Sequence, residues 1–242
     1  MPFNELVAPS RTTLFIKNVE EMILSGELKV GDKLPTEREL SEKMKVSRAV
    51  INTGINRLAQ MGFLEVAPRK GVFVADYIRN GNIDVLVALI EYNGGYFHPE
   101  LIDPILQFHR SIEPYALEQA AINATPEQID EMEEIIKKIK CSQNASESAA
   151  LMFEFFHSAA IAGGNIVWPL LVQTLKSSYI ASSKIFFQNG HRDEFVDGLE
   201  NMFLYVKEGK SEEAKKLCER SIDIYGTWLK KEYRQEGTKE AS

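Results

Sequence analysis

The tightest constraint on this chain is the spacing of helix starts and stops between Thr36 and Gly71. Thr36-Glu37-Arg38-Glu39 fits a reciprocal cap, in which the Thr36 hydroxyl accepts from the Glu39 amide and the Glu39 carboxylate accepts from the Thr36 amide. This predicts a short helix from about Thr36 to Met44. Lys45-Val46 leaves room only for a tight connection, and Ser47 suits the N-cap of a second helix with Val50, Ile51, Ile55, Leu58 and Met61 along one face. Gly62 stops that helix. FLEV and VFVA then flank Ala67-Pro68-Arg69-Lys70-Gly71, the pattern of two short strands joined by a basic tip. Upstream, Leu14, Ile16, Val19, Met22 and Ile23 recur at helical spacing as far as Ser25-Gly26. Two helices joined this closely, braced by a third and followed by a hairpin, predict a winged helix-turn-helix over residues 1–76.

The charge distribution fits a polyanion partner for that segment alone. The whole chain of 242 residues has 28 Lys+Arg against 35 Asp+Glu, a net charge of −7. Residues 36–70 hold 7 basic and 4 acidic side chains, net +3, so contact with DNA belongs there. Arg48 opens the second helix, where a guanidinium can pair with guanine O6 and N7, and Ser47 with the free amides beside it suits phosphate. Arg38 approaches from the preceding helix. Arg69, Lys70 and Gly71 at the hairpin tip are placed to follow the adjacent minor groove, the glycine allowing close backbone approach. Thr36, Arg38, Ser47, Arg48, Asn52, Arg69, Lys70 and Gly71 are the candidate DNA-binding residues.

Beyond a polar stretch at 77–82, DYIRNGN with its flanking Asp76, which reads as a linker, the pattern is helical throughout. Helices are expected over Ile83 to Tyr92 with a stop at Gly94-Gly95, and from Pro99 to about Ala124. Thr125-Pro126-Glu127-Gln128, a second capping box, starts another that runs to about Lys140. A serine-rich loop at 142–148 should precede Ala149–Ala162, followed by 166–187, 194–208 and 212–234, with QEGTKEAS at 235–242 as a flexible tail. Absence of any two-residue alternation predicts an all-α effector-binding and dimerisation domain over 83–234. The fold class is therefore mainly α.

Several functions are excluded at this level. No apolar run reaches the roughly 18 residues that span a bilayer, and MPFNELVAPS lacks the features of a secretory signal, so a cytoplasmic location without membrane contact is expected. Cys141 and Cys218 have no CxxC or Cys/His spacing. No G-x-S-x-G, Walker loop or G-x-G-x-x-G follows a strand, so no enzyme is expected. A helical interaction module without DNA binding remains as an alternative on these grounds.

The segment LKVGDKLPTERELSEKMKVSRAVINTGINRLAQMGFLEVAPRKGVFVADY resembles the DNA-binding part of the GntR family of bacterial regulators. It matches the family's G-x-x-LP-[ST]-E-R-E-L-[AS] run, the V-[ST]-R start of the recognition helix, L-x-x-x-G-[FL] and the wing glycine. The resemblance implies a homodimer on a palindromic duplex operator, with Arg38, Ser47, Arg48, Lys70 and Gly71 at contacting positions. Two departures stand out: Asn52 where many members carry a second arginine, and Gly54 where alanine is usual. The glycine should cost the helix about 1 kcal/mol relative to alanine.

Residues 83–232 resemble the FadR-type effector domain of the same family, through RSIE at 110–113, the run from Phe156 to Asn165, and KSEEA after Gly209. Most such domains hold a divalent metal with one Asp and three His. His157 matches the first of these histidines, but Leu199 and Ser221 stand where the other two would be, and Ile105 stands at the Asp position with Asp103 out of register. No metal is therefore expected, since one imidazole cannot replace a hydration shell. The acyl-CoA-responsive members of the subfamily share that loss. The resemblance implies a small-molecule effector, a long-chain acyl-CoA, with a small carboxylate, metal-dependent or metal-free, as the alternative. Arg110, His157, Asn165, Tyr179, Phe187, Ser221, Tyr225 and Trp228 are the candidate effector-binding residues. Arg110 and Glu113, three apart, are placed to pair with each other, and His98, His109 and His191 read as solvated.

Overall fold

The computed structural model describes residues 9–92 and 99–239, with backbone alone at Glu91, Pro99, Ser178 and 233–239. It forms two compact units, divided after Tyr92.

In the first unit, α1 (Arg11–Leu24) is capped by Ser10, α2 (Glu37–Met44) by the expected Thr36/Glu39 box, and α3 (Arg48–Met61) by Ser47. Lys45 turns the chain between α2 and α3 in the left-handed region, at φ 52°. Gly62 ends α3 at φ 95°, where a Cβ would stand 2.4 Å from the Asn80 carbonyl oxygen, so no other residue closes this corner without moving backbone. The strands β1 (Leu64–Ala67) and β2 (Gly71–Val74) pair antiparallel, Leu64 opposite Val74 and Ala67 opposite Gly71. The stretch before α2 adds a third edge: the Leu34 amide donates to Val72 O and the Val74 amide to Asp32 O, both at 2.9 Å. Phe15, Val19 and Ile23 of α1 pack on Ile51, Ile55 and Leu58 of α3, with Phe63 and Val74 closing the core beneath the hairpin.

The first unit reaches further along the chain than the segment 1–76 expected from the sequence. Residues 77–82 hold a short helix, α4 (Tyr77–Asn80), capped by Asp76. The next helix, α5 (Ile83–Tyr92), sends Val85 and Ala88 into the same core as α1 and α3, and Asp84 pairs with Arg57 at 3.1 Å. Burial of apolar surface ties α5 to the first unit, although its sequence gave no sign of which side it would join.

The second unit is all helical among its described residues: α6 (Pro99–Asn123), α7 (Pro126–Cys141), α8 (Ala145–Ala162), α9 (Val167–Thr174), α10 (Lys176–Phe186), α11 (Arg192–Lys207) and α12 (Ser211–Lys239). α6 packs along α12, α8 and α11, around fully buried Leu117, Phe153, Phe155, Leu199 and Met202. Three expectations need correction. The serine-rich loop is mostly helix, because the Asn144 side chain caps the amides of Ser146 and Glu147 and starts α8 four residues early. The single helix expected over 166–187 breaks at Leu175, and a π-turn at Phe187–His191, with Gly190 at φ 88°, leads into α11. The tail expected at 235–242 continues α12 as far as Lys239. The stop expected at Gly94-Gly95 lies outside the described residues.

Candidate nucleic-acid interface and ligand cavity

The open face of α3 is built by what its other face buries. With Ile51, Gly54, Ile55 and Leu58 turned into the core, Arg48, Ala49, Asn52, Thr53 and Asn56 are left exposed on adjacent turns. Ser47 accepts from the Val50 amide at 3.3 Å, fixing Arg48 at the first helical position beside free backbone N–H groups. Asn52 is held in a side-chain relay: Asn56 Nδ2 donates to Asn52 Oδ1 at 3.0 Å, and Asn52 Nδ2 donates to Glu37 Oε1 at 2.9 Å. Sequence reasoning missed Asn56 and Glu37, which orient the Asn52 amide across the α2–α3 gap. Arg38, exposed on α2, pairs with Glu42 at 2.9 Å, a contact worth little in water that a phosphate can replace. Thr36 has its hydroxyl within 2.8 Å of Glu39 and is occupied with capping.

At the hairpin tip the Lys70 amide closes a turn on Ala67 O at 3.0 Å, and Arg69 takes φ 63°, unusual for a residue with a Cβ. Gly71 sits at φ 124°, and a Cβ there would stand 2.6 Å from Lys33 Cε. Lys33 thus lies against the glycine, with its ammonium 5.9 Å from the centre of the Phe73 ring, and adds a third cation to Arg69 and Lys70. No local signal places Lys33 at the wing; the pairing of residue 33 with 73 brings it there.

In the second unit, side chains of α6, α8, α10, α11 and α12 line a pocket that opens partly to solvent. Its walls are mainly apolar: Leu106, Met152, Phe156, Phe186, Phe195, Ile222 and Tyr225. Of the candidate effector residues, Tyr179, Ser221 and Tyr225 line it. The others do different things. Arg110 is half-exposed and pairs with Asp223 of α12, not with Glu113. His157 stacks on Phe153 at 5.6 Å between centroids and stands 3.2 Å from Pro169 O. Asn165 lies just ahead of α9 and accepts from the Val167 amide at 2.9 Å. Phe187 is buried against Phe186, and Trp228 packs on Phe186 with ring centres 4.9 Å apart; neither lines the pocket.

The polar centre of the cavity was not anticipated. His109 is part-buried rather than solvated, and its Nδ1 meets the Glu113 carboxylate one turn along α6; Glu113 is itself 5% exposed. The Tyr179 ring lies 5.1 Å from the imidazole, and burial, reinforced by the Glu113 charge, pushes its phenol well above the ordinary range. Cys218 lines the same wall, fully buried, its thiol raised by burial and then by Glu113. His191 stacks on Phe186 at 4.7 Å, so it too is part of an aromatic cluster; His98 lies outside the described residues.

At the positions of the missing metal ligands, Leu199 and Ile105 are buried core residues and Asp103 pairs with Lys230. Among the described residues no three His, Cys, Asp or Glu side chains are grouped closely enough to hold a metal ion. No helix among them is long and apolar enough to cross a membrane.

Residues 16–74 match the model of bacterial regulatory proteins of the gntR family, and residues 104–223 match the FCD domain model. The chain belongs to the GntR family. This GntR regulator is similar to the fatty acid metabolism regulator protein of Erwinia tasmaniensis, 26% identical over 85% of this chain and 84% of that one. It is 29% identical to the protein of the same name from Yersinia pestis, over 70% and 69% of the two chains. Among solved structures it resembles the Listeria monocytogenes protein Lar, at 16% identity and a TM-score of 0.61 over 95% of this chain and 99% of that one. It also resembles a GntR family member from Pseudomonas syringae, at 14% identity and 0.52 over 95% and 88%. These likenesses concern the fold. The family consists of DNA-binding transcription regulators, not enzymes, and this chain pairs its winged helix with an FCD effector domain.

Proposed function

We propose that two copies of the chain bind a palindromic operator, reading it with Arg48 and Asn52 of α3 and positioning it with Arg38, Ser47, Arg69, Lys70 and Gly71. In this reading the first unit is the DNA-binding domain, the second the effector-binding and dimerisation domain, and the protein works in the cytoplasm. A long-chain acyl-CoA held by the second unit releases the operator. The observation that carries the effector assignment is the cavity: a largely apolar, aromatic-walled space in a domain whose metal-ligand positions are Leu199, Ser221 and Ile105. The names of the relatives, fatty acid metabolism regulators, support it.

The coupling follows from linkage. An effector that binds better to an arrangement in which the two recognition helices no longer match adjacent half-sites must weaken operator affinity by the same factor as DNA weakens effector affinity. Fluorescence anisotropy of a labelled operator, titrated with palmitoyl-CoA, tests it. Release at micromolar palmitoyl-CoA, with no release by zinc plus a small dicarboxylate, is the expected result; the reverse pattern refutes the effector assignment.

A further inference from the structure

The polar centre of the cavity places an unusual demand on whatever fills it. Glu113 is the one carboxylate among the described lining residues, and no Lys or Arg lines the wall with it. The other polar groups of the lining are His109, the Tyr179 and Tyr225 phenols, the Cys218 thiol and the Ser182, Ser183 and Ser221 hydroxyls, of which His109 and Tyr179 share the carboxylate. A ligand filling the space displaces the water that reaches these groups. Bare hydrocarbon against Glu113 would strip water from the carboxylate lone pairs that His109 and Tyr179 leave open, so the polar head of the ligand belongs at this end. A ligand carboxylate is an acceptor only, and it would bring a second negative charge to within a few ångströms of the first, with no lysine or arginine in the lining and with His109 already engaged by Glu113.

We infer that Glu113 makes the cavity selective for an uncharged head bearing an N–H or O–H donor on an apolar body, and that it rejects the corresponding free carboxylate. This deepens the acyl reading above and rests on it: the amide-bearing thioester arm of an acyl-CoA satisfies the rule, and a free fatty acid does not. Two unit charges about 5 Å apart at an effective dielectric of about 20 repel by enough to weaken binding on the order of a hundredfold.

Decanamide and decanoate have the same shape and differ at the head alone, and Glu113→Gln makes the complementary exchange on the protein. Calorimetry of the full-length protein with decanamide, decanoate and decanoyl-CoA, for wild type and Glu113→Gln, therefore forms a closed cycle. Wild type is expected to bind decanoyl-CoA and decanamide and to bind decanoate about a hundredfold more weakly than the amide. Glu113→Gln is expected to shrink that ratio to within a few-fold. Equal affinity of the wild type for amide and carboxylate overturns the inference while leaving the acyl reading intact, and this comparison does not depend on the variant folding. A ratio unchanged in a folded Glu113→Gln variant removes Glu113 as its cause. Failure of all three ligands to bind overturns the inference, while the long-chain acyl reading stands or falls with the palmitoyl-CoA titration above.

Discussion

Replacing Gly54 by alanine sets helix propensity against packing, and the structure decides between them. In an exposed helix the change stabilises by about 1 kcal/mol. Here Gly54 is buried on α3, and a Cβ would stand 2.2 Å from Cδ1 and 2.6 Å from Cε1 of Phe15, whose ring is 2% exposed and walled in by α1 and α3. The ring has no solvent to retreat into, so the methyl acts as overpacking, which costs about 1–3 kcal/mol. Subtracting the propensity gain leaves a net loss of about 1 kcal/mol, at most about 2. Hydrogen exchange of the α1 and α3 amides reads the first unit alone, which a melt of the whole chain does not. Those amides are expected to exchange roughly 5- to 30-fold faster in Gly54→Ala. Phe15→Leu, which shortens the obstructing side chain, is expected to make the alanine tolerable, so the double variant loses less than the sum of the single ones. Slower exchange in Gly54→Ala than in wild type, with no coupling to Phe15, would refute the packing argument.

Other consequences are as direct. Arg192, 15% exposed, donates from Nε to Ser148 Oγ at 3.0 Å and from Nη2 to Ile139 O at 2.6 Å and to Ser142 O, closing the end of α7 against α8. Arg192→Met is expected to cost about 3 kcal/mol, seen as faster hydrogen exchange of the α7 and α8 amides, and unchanged exchange there contradicts that role. Cys141 is exposed and Cys218 is buried with a raised pKa, so a thiol reagent should modify one cysteine quickly and the other only on unfolding. Burial raises both Cys218 and Tyr179, so each ionises more readily in the unfolded chain. Their contribution to stability is complete below about pH 9 and falls as pH rises beyond it, first through Cys218 and then, above about pH 10, through Tyr179. Cys218→Ala should remove the earlier part of that decline in a urea titration repeated at several pH values; an unaltered pH profile would count against it.

What the sequence revealed and what it hid divide along physical lines. The caps at Thr36, Ser47 and Thr125 and the stop at Gly62 are local signals, complete within four residues, and they set helix boundaries to within a residue or two. Asn144 is as good a cap, but the serines around it resemble a loop, and the start of α8 was hidden by that composition. Where α5 belongs is decided by Val85 and Ala88 meeting residues about 30 to 70 positions earlier, which no local pattern records. The cavity shows the same limit. On α6 alone, Arg110 has Glu113 within reach, and the spacing suggests a pair; the arrival of Asp223 from α12 takes Arg110 outward and leaves Glu113 to His109. The family resemblance located the domain but not its polar centre, because His109 and Glu113 lie outside the positions that the resemblance marks as ligands. Gly54 is the reverse case: the sequence marked it as costly, and the ring of Phe15 explains why it is there.

The central claim, that the exposed start of α3 reads base edges in a twofold-related pair, is tested most directly by selecting from a pool of randomised duplexes with the full-length protein at fixed moderate salt. Wild type should enrich one twofold-symmetric sequence, and Arg48→Ala should lose that enrichment while still binding unselected duplex in low salt, since one bidentate pair is worth about 1–3 kcal/mol of discrimination in each half-site. A pool that stays random with wild type, or one that enriches the same sequence without the Arg48 guanidinium, would contradict the account.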